Sequence, residues 1–429
     1  MADHYVLPPT GSKKPGFFYG YVVVVAALFI IMVMTGAIST YGVFLKPLAA
    51  EFGWTRAITA GAYSTALFIL GLFFMVTGRL TDRFGPRLVV TVCGVFFGSG
   101  ILLMSRIEAV WQLYLFYGVM VAVGLSGSLV PMMSTASRWF VKRRGMMTGI
   151  VLAGVGVGQM TMPPLATYLI AIYGWRTSYI YAGIASLVLT VVAAQFLRRD
   201  PAQIGQLPDG ETELKPESLV SDTGGFSLGE ALHTRQFWVL CAMYACYGSF
   251  IHPTLLHIVP HTTDLGISAM SAASIMSVIG GLTTVGRIGM GSIGDKIGHK
   301  RGLILAFILA AVAFLWLQGA SELWTYYLFA VAFGFAYGGL IALEAPMAVE
   351  LFGLKAHGAL VGVIHSGATS GAAVCAPLVG RLFDITGSYQ LAFIAFAAFA
   401  VAGIALTLSL RPGLREGEIN DARRSTWFN

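Results

Sequence analysis

Twelve long apolar runs restrict what this chain can fold into more than any other feature of its sequence. They lie at 19–46, 56–79, 87–105, 109–135, 146–171, 175–197, 236–260, 268–293, 301–320, 323–349, 358–382 and 389–410. An α-helix needs roughly 20 apolar residues to cross a ~30 Å hydrocarbon layer. With 56% hydrophobic residues, 11% charged residues and a mean hydropathy of +0.76, the chain cannot be a soluble domain. The sequence predicts an all-α membrane protein with twelve transmembrane helices.

The basic residues are distributed unevenly between the loops. With both termini on the cytoplasmic side, 21 Lys and Arg residues lie inside and five lie outside. This asymmetry follows the positive-inside rule, so we expect a multi-pass protein of the cell (inner) membrane with cytoplasmic termini. The same asymmetry explains the net charge of +7 by the orientation of the chain in a lipid bilayer, so this charge does not indicate nucleic-acid binding. Residues 1–14 are polar, and we expect no cleaved signal peptide.

Several kinds of chemistry are not indicated by the sequence. The four cysteines (Cys93, Cys241, Cys246 and Cys375) lie in apolar runs and form no CxxC pair, so we interpret them as packing residues without a metal or disulfide. The chain has no P-loop, no HExxH and no G-x-S-x-G. We therefore expect no enzyme and no cofactor, and any transport would use an ion or substrate gradient.

One long hydrophilic stretch divides the spans into six and six. We predict an N-terminal bundle at 1–198, a cytoplasmic linker at 199–234, a C-terminal bundle at 235–410 and a cytoplasmic tail at 411–429. Near the end of the linker, Leu228, Leu232 and Phe237 follow roughly helical spacing. This indicates a short helix on the membrane surface, with a plain tether as the alternative.

The two halves repeat a loop motif. Residues 78–87 after span 2 and residues 291–301 after span 8 both contain G-x-x-x-D-[RK]-x-G followed by a basic residue. The glycines allow a tight turn and close helix approach, and the acid can cap a helix or pair with the adjacent bases. We assign conformational switching to these residues: Gly78, Asp82, Arg83, Gly85, Gly291, Asp295, Lys296 and Gly298.

This duplication resembles the major facilitator superfamily of secondary transporters, and the resemblance covers the whole chain. Span 5 adds a similar glycine-rich, proline-ended helix containing Gly149, Gly154, Gly156, Gly158, Pro163 and Pro164. The resemblance implies two pseudo-symmetric six-helix bundles that bind substrate near the midplane and rock to alternate access. We expect such a protein to function as a monomer.

Arg287 is the only charged residue in the first 27 or so residues of segment 268–301. It lies near the predicted midplane, where an arginine opposes insertion by roughly 3 kcal/mol, so it must face protein or a water-filled cavity. Gly280, Thr283 and Thr284 share its helical face. An unpaired cation there would attract an anion, and its planar fork suits a carboxylate. The alternative is a structural ion pair with an acid on another helix.

Four stretches narrow the resemblance to the monocarboxylate transporters and their bacterial relatives, close to the oxalate/formate exchangers. They lie at 41–54, 138–145, 343–347 and 376–389. In that branch the arginine of span 8 binds the substrate carboxylate, and Arg287 stands at its position. Thr283 and Ser39 stand where mammalian lactate carriers have an aspartate and a lysine. The exchangers have a second cation in span 11, whereas residues 361–376 contain only His365. One permanent cation favours one carboxylate.

Other polar residues in the spans are weaker candidates. Besides Arg287, the substrate-binding candidates are Tyr337, Ser126, Ser128, Ser39, Tyr63, Thr283 and Thr284, although small hydroxyl residues commonly serve helix packing. The proton-coupling candidates are Glu344, His365, Asp264 and His252. Glu344 lies near the depth of Arg287, which it could pair with when substrate is absent. The histidines near the outer end of span 7, with Asp264, could instead belong to a gate.

We therefore predict a secondary active transporter that moves a small monocarboxylate such as lactate or pyruvate together with a proton. Anion exchange of the oxalate/formate type is the first alternative. A transporter-like sensor would need a large soluble signalling domain, and the longest hydrophilic stretch is under about 40 residues. An exporter of hydrophobic cations would need acids in the cavity, whereas the midplane charge is basic.

Overall fold

The computed structural model describes residues 17–140, 144–210, 226–353 and 357–410. The helices of the first half are α1 (Gly20–Ser39), α2 (Tyr41–Phe52), α3 (Arg56–Phe84), α4 (Pro86–Met104), α5 (Val110–Leu113), α6 (Ala122–Leu125), α7 (Leu129–Trp139) and α8 (Arg144–Gln195). Those of the second half are α9 (Leu228–Leu232), α10 (Arg235–Asp264), α11 (Ala269–Ile297), α12 (His299–Leu317), α13 (Leu323–Ala342), α14 (Glu344–Phe352), α15 (His357–Thr386) and α16 (Gln390–Ser409).

The described part of the chain contains eleven helical segments that are long and apolar enough to cross a membrane. One of them, Met146–Gln195, is 50 residues long and reverses direction at Gly174, where φ is 75°. It therefore contains two of the predicted spans. The expectation of an all-α, multi-pass membrane fold is confirmed.

Three of the predicted spans are not continuous α-helices. Span 1 is broken between α1 and α2 at Thr40, and span 10 is broken between α13 and α14 at Leu343. Span 4 contains a π-helical stretch, Tyr114–Val121, between α5 and α6. Interruptions of this kind are common at functional sites because they turn side chains away from the regular helical register.

Two buried clusters form the cores of the two halves. One is drawn mainly from α1 to α8, and the other mainly from α10 to α16. The halves meet chiefly where α3 packs on α15 and where α8 packs on α11. Large apolar side chains remain exposed on the outside of the bundles, for example Ile288, which is 71% exposed. Such side chains suit a surface that faces lipid.

The seam between α8 and α11 depends on glycines. A Cβ atom on Gly156 would lie 2.0 Å from Thr284 Oγ1 and 2.8 Å from Gly280 O, so the two backbones pass too closely for a side chain. Gly154 and Gly158 pack against α1 instead. A Cβ on Gly154 would lie 2.5 Å from Leu28 O, and a Cβ on Gly158 would lie 2.4 Å from Met32 O. The glycine-rich face of span 5 therefore packs on both neighbours.

The two repeated loops adopt the same backbone geometry. Gly85 ends α3 with φ 84° and ψ 158°, and Gly298 ends α11 with φ 91° and ψ 141°. L-residues with side chains rarely adopt this conformation. In each case the next helix starts at the following residue, Pro86 or His299. The repeated glycine is thus a requirement of the turn.

Each described end of the linker contacts its own half. Gln206 accepts a hydrogen bond from Tyr19 N at 3.1 Å and donates to Phe17 O at 2.9 Å. Phe226 N donates to Phe352 O at 2.8 Å, and Phe226 is buried. The structure has the short helix α9 at Leu228–Leu232, packed on α10 and α15, whereas Phe237 of the predicted surface helix lies in α10. Residues 211–225 and the tail at 411–429 lie outside the described residues.

Candidate functional site

Arg287 faces the space between the two halves. One side of α11 packs on α13, where a Cβ on Gly338 would lie 2.1 Å from Thr283 O, and the other side packs on α8 through Gly280. Arg287 projects between these two packed faces and is half-buried. Its Nη1 donates to Leu152 O of α8 at 2.8 Å. The site therefore includes a backbone carbonyl from the opposite half.

The free hydrogen-bonding capacity of Arg287 lies on one edge of the guanidinium. Nε is buried and meets no acceptor in the described residues. No carboxylate in the described part of the chain forms an ion pair with this arginine. Nε and Nη2 form the edge on which an arginine binds a carboxylate with two parallel hydrogen bonds. Leu152 O holds Nη1, and because Nε is buried in this conformation, an anion can bind along this edge only when the atoms that cover Nε move aside.

Glu344 does not pair with Arg287 in this conformation, so that expectation is wrong here. The span breaks at Leu343, and Glu344 begins α14 facing α15. Its carboxylate is buried, with Oε2 3.1 Å and Oε1 3.3 Å from His365 Nδ1. The His365 side chain is 37% exposed. Two of the four proton-coupling candidates thus form one pair, with the acid buried and the imidazole partly exposed.

A second polar group lies further towards the predicted outer side. The Tyr63 hydroxyl of the first half lies 3.4 Å from His252 Nδ1 of the second half. Tyr337 is 5% exposed, and its ring packs near Tyr247. The contact between Tyr63 and His252 therefore joins the two halves.

The small hydroxyl candidates serve packing in this structure. Ser126, Ser128 and Thr283 are fully buried and donate to Val123 O, Leu125 O and Ile279 O on their own segments. Such back-bonding satisfies a hydroxyl without a ligand. These three are not accessible to substrate in this conformation.

Ser39 and Thr284 are partly exposed but also bond backwards. Ser39 Oγ donates to Thr35 O at 2.7 Å, and Thr284 Oγ1 donates to Gly280 O at 3.4 Å. Thr284 lies against Gly156 at the seam between the halves, rather than beside Arg287. Neither side chain is arranged as a dedicated ligand.

Asp264 is far from the midplane and belongs to a cluster at the predicted outer end. Its two carboxylate oxygens lie 2.7 Å from Lys46 Nζ and 2.6 Å from Arg56 Nη2. Both cations belong to the first half. This position favours the alternative of a gate residue over a role in proton coupling.

The predicted switching residues lie at the opposite, inner end. The Asp295 side chain is 77% exposed and lies 3.6 Å from His299 Nε2, while His299 Nδ1 lies 2.9 Å from Glu350 Oε2. Arg83 lies over the Phe84 ring, and Lys296 is exposed. The side chain of Asp82 is outside the described atoms.

The two leading glycines of the loop motif differ from each other. A Cβ on Gly78 would lie 3.3 Å from Val130, a close contact, whereas a Cβ on Gly291 would meet nothing within 4 Å. Close approach therefore explains Gly78 but not Gly291 in this conformation. In the second loop it is Gly294 that is tightly packed, because its Cβ would lie 2.4 Å from Leu343.

The chain matches the sequence profile of the Major Facilitator Superfamily over residues 27–298 and 285–427. The chain belongs to this superfamily. Its members are transporters, so the chain is a transporter and not an enzyme, as the sequence predicted. The repeated loops and the two bundles described above are therefore the two halves of a major facilitator fold.

Within the superfamily the chain is similar to monocarboxylate transporters. It is 28% identical to monocarboxylate transporter 13 of Rattus norvegicus, covering 95% of this chain and 91% of that protein. It is 26% identical to monocarboxylate transporter 4 of Gallus gallus, covering 94% and 83%. It is also 24% identical to the uncharacterized MFS-type transporter YhjX of Escherichia coli strain K12, covering 77% and 81%. The resemblance inferred from the motifs is confirmed.

Solved structures support the fold. A bacterial homologue of the human lysosomal transporter Spinster, in an inward-facing and unoccupied conformation, aligns with a TM-score of 0.65. The alignment covers 93% of this chain and 95% of that one at 16% sequence identity. At this identity the likeness concerns the major facilitator fold alone.

Two features of the site have no signature in the sequence. The Leu152 carbonyl is a backbone group, and any residue at that position would supply it. The pairing of Glu344 with His365 depends on the break at Leu343; Pro346 marks this break, because it cannot donate to Ala342 O, but it does not show which way Glu344 turns. The depth of Glu344 in the membrane could be predicted from the rise of a helix, but the direction in which its side chain points could be seen only in the packed structure.

Proposed function

We propose that this transporter carries a small monocarboxylate, such as lactate or pyruvate, together with a proton, by alternating access. The observation that carries the proposal is the state of Arg287. It is a half-buried cation in the interior, anchored through Nη1 to Leu152 O, with a buried Nε that has no acceptor among the described residues. The similarity to monocarboxylate transporters supports the same substrate class.

The charge near Arg287 suits a single carboxylate. Two ionised carboxylates would need a second cation, but on α15 the nearby titratable group is His365, which already contacts Glu344. A substrate with one carboxylate satisfies the free edge of Arg287 and leaves its remaining atoms to the apolar and aromatic walls. Monocarboxylates are therefore favoured over oxalate.

The pair of Glu344 and His365 supplies a proton site. A buried carboxylate is costly unless it has a partner, and a protonated His365 provides one. While Arg287 is empty, its positive charge makes loss of the proton easier. A bound carboxylate neutralises Arg287, and the pair then retains its proton. Anion and proton would cross together without net charge.

We further propose that the protein works as a monomer in the cell (inner) membrane with both termini in the cytoplasm. The support for this orientation is the distribution of 21 inner and five outer basic residues. Protease protection of tagged termini in inverted and right-side-out vesicles would test this orientation.

A panel of small acids tests the substrate class. Lactate, pyruvate, formate, acetate and oxalate are titrated against the purified protein while its thermal unfolding is followed, because a ligand that binds only the folded state stabilises it by mass action. We expect stabilisation by monocarboxylates that is absent in Arg287→Gln. Stabilisation by oxalate alone would contradict the proposal.

Proteoliposomes separate symport from exchange. With substrate outside only and an acidic exterior, a symporter accumulates substrate in empty vesicles. An obligate anion exchanger takes up substrate only when the vesicles contain a counter-substrate. Uptake that requires internal substrate and does not depend on the pH gradient would show that the protein is an exchanger and not a symporter. Binding of every acid without any flux would indicate a sensor.

A further inference from the structure

Four charged residues at the predicted outer end join the two halves. Lys46 and Arg56 belong to the first half, whereas Asp264 and Asp384 belong to the second. Asp264 bridges both cations, with its carboxylate oxygens 2.7 Å from Lys46 Nζ and 2.6 Å from Arg56 Nη2. The Arg56 side chain is 15% exposed, so this contact is partly shielded from water. Shielding makes such an ion pair less sensitive to screening than a surface pair.

Asp384 makes a different contact with the same helix. Its Oδ1 accepts a hydrogen bond from Arg56 N and its Oδ2 accepts one from Ala57 N, both at 3.0 Å. These are the first two N–H groups of α3, which have no partner within their own helix. A carboxylate also interacts favourably with the positive end of the helix dipole. The second half therefore caps a helix of the first half.

The backbones approach closely to allow this cap. A Cβ on Gly380, one turn before Asp384, would lie 2.8 Å from Arg56 C and 2.8 Å from Arg56 O. The Arg56 guanidinium lies 3.8 Å from the centre of the Phe383 ring and also bonds the Tyr389 hydroxyl. Arg56 is thus held by a ring, a hydroxyl and a carboxylate of the other half, while its own N–H is capped.

We propose that Lys46, Arg56, Asp264 and Asp384 form an outer latch that holds the outer side of the transporter closed and sets the balance between its two conformations. Every bond of the latch crosses between the halves, so all are lost when the outer ends separate. The other cross-half bonds described here, at Tyr63 and Arg287, lie deeper. The latch acts on the conformational equilibrium and is independent of which anion is carried.

The chain offers a matched control. Glu51 and Arg176 form an ion pair of 2.8 Å near the same end of the molecule, but both residues belong to the first half. Loss of this pair removes a similar interaction without removing a contact between the halves. Only latch variants should therefore change the conformational balance.

A buried reporter measures the outer opening. Ala372 of α15 is fully buried and packs in the core of the first half, so it is covered only while the halves are together on this side. The four native cysteines are replaced by alanine or serine, and Ala372→Cys is introduced. The rate of labelling by a membrane-impermeant thiol reagent, applied from outside to cells or right-side-out vesicles, reports the open population.

We expect Asp384→Ala to raise the labelling rate by about fivefold, the population change that loss of a helix cap gives. Asp384→Asn should raise the rate by a smaller factor than Asp384→Ala, since the asparagine amide has one acceptor oxygen and can keep only one of the two N–H bonds. Asp264→Asn should raise the rate independently, and the double variant with Asp384→Ala should exceed either single variant. Glu51→Gln should leave the rate unchanged.

Two results would overturn the latch. One is unchanged labelling in Asp384→Ala and Asp264→Asn although both variants elute as monodisperse protein. The other is a rise in Glu51→Gln as large as in the latch variants, which would indicate general loosening. If Asp384→Ala does not fold, Arg56→Gln decides the question, because it keeps the capped N–H and loses the guanidinium contacts with Asp264, Tyr389 and Phe383, all of which cross between the halves. These labelling results need no substrate, so failure of the latch is distinct from failure of the proposed function.

Discussion

The replacement Arg287→Lys tests whether the arginine acts by geometry or only by charge. In the structure Nη1 is engaged with Leu152 O, and the edge formed by Nε and Nη2 remains for an anion. An arginine can therefore keep its anchor and give a carboxylate two hydrogen bonds. A lysine keeps the positive charge but has a single nitrogen, which must serve both the carbonyl and the anion.

The expected loss follows from this difference. One charge-assisted hydrogen bond contributes roughly 1.5–3 kcal/mol. At about 1.4 kcal/mol for each factor of ten, the dissociation constant of the monocarboxylate should rise by roughly 10- to 150-fold. Folding should be preserved, because the charge at this depth is unchanged.

Thermal stabilisation of the purified protein by lactate or pyruvate provides the assay. The concentration that gives half of the maximal shift should increase by the stated factor in Arg287→Lys, and uptake into proteoliposomes should fall with it. Arg381→Lys is the matched control, because Arg381 is an exposed arginine on α15, and it should behave like wild type. A titration midpoint within twofold of wild type would refute the geometric argument and leave Arg287 as a generic charge.

Three further predictions concern coupling, switching and turns. Glu344→Gln should still bind and exchange substrate but should fail to accumulate it when the outside is acidic; normal accumulation would move the proton to another route. Asp295→Asn should lower turnover and leave equilibrium binding nearly unchanged, since Asp295 lies at the inner edge; a large loss of affinity would place the substrate site closer to that edge. Gly298→Ala should destabilise the protein by about 1–3 kcal/mol in thermal or denaturant unfolding, because φ is 91° there, whereas Gly291→Ala should cost nothing, because its Cβ would meet no atom within 4 Å. Equal effects of the two glycine variants would contradict the role of the turn.

Features that repeat along the chain were predictable from the sequence. The apolar runs predicted the spans, and the duplicated loop motif predicted both the two-bundle fold and the equivalence of Gly85 with Gly298. The half-buried position of Arg287 was predictable because a lone charge in a long apolar run has few possible environments. Each of these inferences depends on local composition and on the spacing of residues, both of which can be read directly from the sequence.

Contacts between separate helices were not predictable in the same way. Depth along a helix gave Glu344 and Arg287 similar levels, but the break at Leu343 turns Glu344 towards His365. The outer contacts of Arg56 could not be predicted, because in the sequence Arg56 is one of several basic residues between spans. Its partner Asp384 is 328 residues away along the chain. Buried serines such as Ser126 illustrate the opposite error, since a hydroxyl that bonds its own backbone looks the same in sequence as one that binds a ligand.

The reversal at Gly174 joins the two arms of α8 through a single residue. The arm before Gly174 lies along the seam with α11, and the arm after it packs tightly on α4, where a Cβ on Gly183 would lie 2.7 Å from Leu102 Cα. Without an intervening loop, a tilt of the first arm is passed directly into its own bundle. That arm is roughly 45 Å long, so a tilt of about 10° around its midpoint displaces its ends by roughly 4 Å in opposite directions. Hydrogen bonds near the ends of the arm would therefore break within the first few degrees, long before the apolar surfaces at its centre separate.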